Sequence, residues 1–157
     1  MAMVGFSFTK LNAERKQSTG ASLNIESNAG VTNVIEIPTV DSKKALLKFE
    51  FVFTVKYEPN AGKIELGGEV VEIYDKDFGT KVMEHWNKEK KVLTEAMKEI
   101  FNNILSRSNV EAIMISRDLG LPSPIQMPRL DVKPRDKSKV DSKSEPKTDS
   151  KAEKAKK

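Results

Sequence analysis

The 157-residue chain has no cysteine, one histidine and one tryptophan. Without cysteine there is no disulfide framework, no thiol catalysis and no cysteine-based zinc site. The lone His85 sits beside Trp86 and reads as a surface or packing residue, since no Ser/His/Asp set can be assembled around it. Neither a G-x-G-x-x-G nor a G-x-x-x-x-G-K-[ST] pattern is present. Gly67-Gly68 follows strand-like residues but opens no helix, which makes it a poor phosphate cradle. No window approaches the roughly 20 apolar residues of a membrane span. The start, MAMVGFSFTKLNAERK, has neither a basic opening nor the apolar run of a signal peptide. These absences predict a cytoplasmic protein without membrane insertion, enzymatic activity, cofactor or metal.

The charge that is present is unevenly placed. The chain holds 27 basic and 23 acidic residues, and its isoelectric point is 9.2. Residues 129–157 carry 11 of the basic and 6 of the acidic side chains, which leaves 16 basic and 17 acidic for residues 1–128. The body is therefore close to neutral and the positive charge belongs to the tail. Beyond Leu130 apolar periodicity stops, and Lys, Asp, Ser and Glu cannot bury enough surface to offset ordering entropy. Two parts follow: a folded domain over 1–130 and a disordered Lys-rich tail over 131–157. A basic tail attracts phosphate. Lys133, Arg135, Lys137, Lys139 and Lys143 are its candidate contacts to ribosome or rRNA. The body offers no basic, aromatic-studded strand of the kind that stacks bases.

The first half of the body reads as strands. Gly5–Glu14 holds Phe6, Phe8 and Leu11 among polar residues. Ser22–Ile37 is one bent strand or two short ones, interrupted at Ser27-Asn28-Ala29-Gly30. In Leu47–Tyr57, LKFEFVFTVKY, the alternation puts Leu47, Phe49, Phe51, Phe53, Val55 and Tyr57 on one face. The other face is mostly polar, the pattern of an antiparallel sheet with one wet side. Pro59-Asn60-Ala61-Gly62 supplies a hairpin turn into a return strand over Lys63–Tyr74. Ile64 and Leu66 fall on one parity of that strand, and Val71 and Ile73 on the other. A bulge at Gly67-Gly68 would bring all four to the buried face. Otherwise the apolar face changes sides.

The second half reads as helix. Phe78, Val82 and Trp86 form one stripe of a short helix after Thr80. A longer helix begins near Thr94, with Met97, Ile100, Phe101, Ile104 and Leu105 continuing to Ala112, Ile115 and Leu119. Ser106-Arg107-Ser108-Asn109 is a weak point where a kink is expected, and Gly120 and Pro122 close the helix. The prolines of Leu121–Pro128 favour an extended segment. Glu72, Asp75 and Asp77 read as a solvated turn, since the ligand spacing of a calcium loop is absent.

The stretches GFSFTKL at 5–11, LLKFEFVFTVKYEPNAGKIELGGEVVEIY at 46–74, and the helix with LGLPSPIQMPRL over 94–130 together resemble the SecB export-chaperone family, in the divergent form of small archaeal SecB-like proteins. The resemblance implies an α+β fold: a four-stranded antiparallel sheet with a short and a long C-terminal helix packed on one face. It also implies a homo-oligomer, dimer or tetramer, that holds unfolded or nascent polypeptide in apolar grooves without ATP. The candidate client-binding residues are Phe6, Phe8, Phe49, Phe51, Phe53 and Trp86. The near-neutral body departs from the acidic character typical of the family, and the tail does not resemble its C-terminal segment.

Overall fold

The computed structural model describes residues 2–17 and 22–125. Four long strands are followed by two helices: β1 (Ala2–Arg15), β2 (Asn24–Ile37), β3 (Lys44–Glu58), β4 (Gly62–Asp75), α1 (Lys76–Glu89) and α2 (Thr94–Asp118). The strands form one antiparallel sheet in the order β1-β4-β3-β2. The chain makes a β2–β3–β4 meander, and β1 comes back to pair with β4. Strands β1 and β2 are the sheet edges.

The alternation in β3 works as expected. Leu47, Phe49, Phe51, Phe53, Val55 and Tyr57 are all buried, because both helices pack on the face they share. Around Phe49, the core gathers Val34, Leu47, Val70, Tyr74, Val82, Trp86, Ile100 and Ile104. Around Phe53 it gathers Val55, Tyr57, Ile64, Leu66, Ala112 and Leu121. Gly79 lets α1 approach closely, since a Cβ there would lie 2.4 Å from the Ala45 Cβ. The last turn of α2 closes with a bond from Leu121 N–H to Ser116 O of 2.8 Å. Leu121 then packs into the second cluster, and the Tyr57 hydroxyl donates to Pro122 O at 2.9 Å.

Three details depart from the sequence expectation. First, β4 carries no bulge against β3: the register runs unbroken from Lys44 opposite Asp75 to Tyr57 opposite Gly62. Val71 and Ile73 therefore do face away from the helices. Across the sheet they line up with Leu46, Ile35 and Ile37 as an apolar end of the helix-free face. The irregularities lie in the edge strands instead, between Met3 and Gly5, between Phe8 and Lys10, and between Val31 and Asn33. Bulges concentrate at edges because an extra residue there disrupts only one ladder. The glycine pair has a different cause. A Cβ at Gly68 would stand 2.5 Å from the Ser7 carbonyl oxygen and 2.7 Å from Phe51 Cζ. Gly68 is the floor on which the Phe51 ring lies.

Second, α1 starts at Lys76, before Thr80. Third, α2 is continuous through Ser106–Asn109. Ser106 Oγ bonds Asn103 O at 3.2 Å and Ser108 is buried, so the weak segment stays helical by packing. The buried stripe of α2 is Ala96, Ile100, Ile104, Ser108, Ala112 and Ser116. Its small members allow close approach to the sheet. Larger apolar residues of the same helix, Met97, Leu105, Val110 and Met114, remain exposed.

Candidate functional site

An open groove of about 400 Å³ runs between β1 and α2, lined by Phe6, Ser7, Phe8, Ser106, Arg107 and Val110. Its aromatic wall follows from sheet register. Phe6 lies opposite Val70 and Phe8 opposite Gly68, both on the helix-bearing face. The two rings are 5.1 Å apart and nearly perpendicular, and both reach Phe51, at 5.4 and 6.3 Å. These are favourable edge-on and tilted ring distances. With no side chain at Gly68, Phe51 sinks beneath the pair into the core and backs the two rings. Phe6 and Phe8 stay half-buried, whereas Phe51 is 1% exposed.

The opposite wall belongs to α2. The Arg107 guanidinium lies 4.9 Å from the Phe6 ring centroid, within cation–π range. Ser106 and Val110 continue that wall. Among the described residues the outer edge of β1 has no neighbouring strand, and backbone donors and acceptors on such an edge can pair with an added chain. Between its two irregularities, Gly5–Phe8 keeps a regular ladder with β4.

Beneath α2 the core contains a carboxylate that the sequence reading placed in a solvated turn. Glu72 points into the core and is 1% exposed. The Tyr74 hydroxyl donates to its Oε2, and Asn103 Nδ2 donates to Oε1 at 3.3 Å. Burial pushes the Glu72 carboxyl above its ordinary value, the two hydrogen bonds oppose that rise, and Glu99 adds to it. Burial, followed by the bond to Glu72, pushes the Tyr74 hydroxyl up in turn. The parity of β4 carried the only signal for this, since Glu72 shares it with Val70 and Tyr74. Asp75, by contrast, is exposed and pairs with Lys44 at 2.7 Å, which holds its carboxyl below the usual range.

The helix-free face carries the ion pairs of the sheet. Lys48 lies 3.4 Å from Glu69, and Lys63 lies 2.7 Å from Glu65. Glu65, flanked by Lys10 and Lys63, is held down to about 2 by their hydrogen bonds and charges. No group of metal-binding side chains occurs among the described residues. His85 Nδ1 is 2.9 Å from Lys91 O, a bond donated by Nδ1–H, and Nε2 faces Glu89 at 3.5 Å. The ring thereby ties the end of α1 to the loop before α2.

Of the six residues singled out for client binding, the structure brings Phe6 and Phe8 to the groove wall, while Phe51 lies beneath them in the core. Phe49 and Phe53 are both 0% exposed and Trp86 6%, so these three lie in the core of the single chain. Arg107 and Val110 were not singled out. Lys133, Arg135, Lys137, Lys139 and Lys143 lie outside the described residues. No described helix is long and apolar enough to cross a membrane.

No family model matches this chain, and no curated protein is similar to it by sequence. The α+β arrangement, a four-stranded antiparallel sheet with two C-terminal helices on one face, is that of the SecB-like chaperones. The likeness is to the SecB-like chaperone of Mycobacterium tuberculosis, solved with a ChAD peptide from the HigA1 antitoxin. It has a TM-score of 0.53 at 7% sequence identity and covers 82% of this chain and 89% of that one. At that identity the likeness is one of fold alone.

Proposed function

We propose that this protein binds extended or unfolded polypeptide segments, as an ATP-independent holdase acting in the cytoplasm and in protein export. The observation that carries the reading is the coincidence of an open strand edge with an aromatic groove. β1 offers backbone hydrogen bonds along Gly5–Phe8, and Phe6 and Phe8 offer apolar surface beside the same residues. Strand addition gives affinity to any extended chain, and the groove adds apolar selection. The SecB-like neighbour was solved with a peptide, which supports a polypeptide partner for this fold. The exposed apolar residues of α2, Met97, Leu105 and Met114, support association of copies into a dimer or tetramer.

The test is binding of a fluorescein-labelled, permanently unfolded polypeptide by anisotropy, together with suppression of aggregation of a denatured model protein at stoichiometric ratios. Phe6→Ala and Phe8→Ala are each expected to weaken binding about tenfold, the effect of losing about 1.4 kcal/mol of apolar contact. Val40→Ala, at a fully exposed position, is the control and leaves it unchanged. Absence of both binding and protection with the folded wild-type protein would overturn the reading.

A further inference from the structure

We propose that the β1–α2 groove prefers extended peptides carrying a carboxylate two residues from a large apolar side chain, and that Arg107 reads the carboxylate. This rests on the reading of the groove as a polypeptide site and narrows it to a class of segment.

Among the described residues six line the groove, of which one is cationic and none is anionic. Among the described residues Arg107 makes no ion pair. Glu111, one turn further along α2, is not within pairing distance of it, and the sheet pairs Lys48–Glu69, Lys10–Glu65 and Lys63–Glu65 belong to the helix-free face. Neither serine offers the groove a free hydroxyl: Ser106 Oγ donates to Asn103 O, and Ser7 turns its hydroxyl to the helix-free face, where it donates to Glu69 Oε1 at 3.3 Å. The guanidinium instead lies against the face of the Phe6 ring. A cation–π contact engages none of the guanidinium's N–H groups as ion-pair donors, and carboxylate fits their fork in bidentate fashion. A guanidinium that faces an apolar groove without a counter-ion favours a negative charge on the incoming chain.

The spacing follows from strand geometry. In a strand added to β1, side chains alternate, so those on the groove side recur every second residue. Phe6 and Phe8 have that same spacing and face. The incoming residue level with Phe6 meets Arg107. The one level with Phe8 meets the Phe8 ring, which Phe51 backs from within the core. The two breaks in register confine this regular stretch to Gly5–Phe8, which sets a short recognition window. Residues 1–128, with 16 basic and 17 acidic side chains, supply no strong overall field, so the preference is local to Arg107.

Fluorescein-labelled peptides with one leucine and, two residues away, Asp, Asn or Lys are titrated into the full-length protein at low and high salt. The Asp peptide is expected to bind about tenfold tighter than the Asn peptide at low salt, the scale of one partly exposed charge-assisted contact. The Lys peptide is expected to bind more weakly than either. Arg107→Gln, which keeps the same tail, should erase the Asp preference while retaining affinity for the Asn peptide, and Arg107→Glu should shift the preference to Lys. Equal binding of the three peptides to the wild-type protein overturns the proposal and leaves peptide binding standing. An Asp preference that survives Arg107→Gln also overturns it. Binding of none of the peptides removes both readings.

Discussion

Replacing Gly68 by alanine tests whether the Phe51 ring over Gly68 organises the sheet and its groove. The added Cβ would sit 2.5 Å from Ser7 O, 2.7 Å from Phe51 Cζ and 2.9 Å from Phe51 Cε1. One of those contacts is to backbone and two are to a ring packed among Phe6 and Phe8. Neither can yield without moving β1 or expelling the ring, so the cost is that of overpacking a filled core, about 1–3 kcal/mol. At about 2 kcal/mol, and a urea slope of about 2 kcal/mol/M for a domain of this size, the unfolding midpoint should drop by about 1 M with the slope unchanged. Gly30→Ala is the control in the same sheet. Nothing lies within 4 Å of its added Cβ, and a change below about 0.5 kcal/mol is expected there. Combining Gly68→Ala with Phe51→Leu removes the ring contacts but not the Ser7 contact, so part of the loss from Gly68→Ala should be recovered. Equal midpoints for Gly68→Ala and Gly30→Ala would refute the idea that close approach, and not strand irregularity, explains this glycine.

Glu72 predicts a pH dependence with a definite sign. A carboxyl whose folded pKa is raised holds its proton more tightly in the folded state. The resulting stability is fully present below the ordinary value of 4.5 and is lost as pH rises through the raised folded value. Urea unfolding from pH 4.5 to 8 should therefore show the wild type losing stability relative to Glu72→Gln, and a pH-independent difference would count against the buried carboxyl. Deleting residues 131–157 removes 10 basic and 6 acidic side chains. If the tail anchors the protein to ribosomes, salt-sensitive co-sedimentation should disappear while peptide affinity stays the same. Unchanged sedimentation would remove the anchor role.

Some of this was legible in the residue order and some was not, for a physical reason. The strands, the start of α2 at Thr94 and the buried face of β3 follow from periodicities of 2 and 3.6, which are properties of a segment alone. The glycine pair misleads because the cause of Gly68, the Phe51 ring, belongs to the neighbouring strand. Read along β4, Gly67-Gly68 looks like a break; read across the sheet, Gly68 is a vacancy filled by a partner. Glu72 was assigned to solvent by its chemistry, although its parity with Val70 and Tyr74 pointed inward. The groove depends on β1 lying next to β4, a pairing that local pattern does not specify. Arg107 lies in the segment expected to kink. Its place over Phe6 arises only because the helix runs straight through.

The β1 groove and the exposed apolar residues of α2 compete unless they are used separately. A second copy that added its own strand to β1 would occupy the backbone groups that a peptide needs. Met97 and Leu105, two turns apart on one flank of α2, are exposed but do not line the groove, so copies that meet through this part of α2 leave Gly5–Phe8 open. The two modes differ in a measurable way. If copies pair through α2, peptide affinity per chain stays constant as protein concentration rises through the association range seen by sedimentation. Leu105→Glu then lowers the assembly state without weakening peptide binding. If copies pair through β1, apparent peptide affinity falls as the assembly forms, because each paired edge is withdrawn from solution. The surface chemistry favours the first arrangement. The large apolar residues of α2 have no other cover among the described residues, whereas the edge of β1 already has a regular ladder behind it, an aromatic wall beside it and a cation above it.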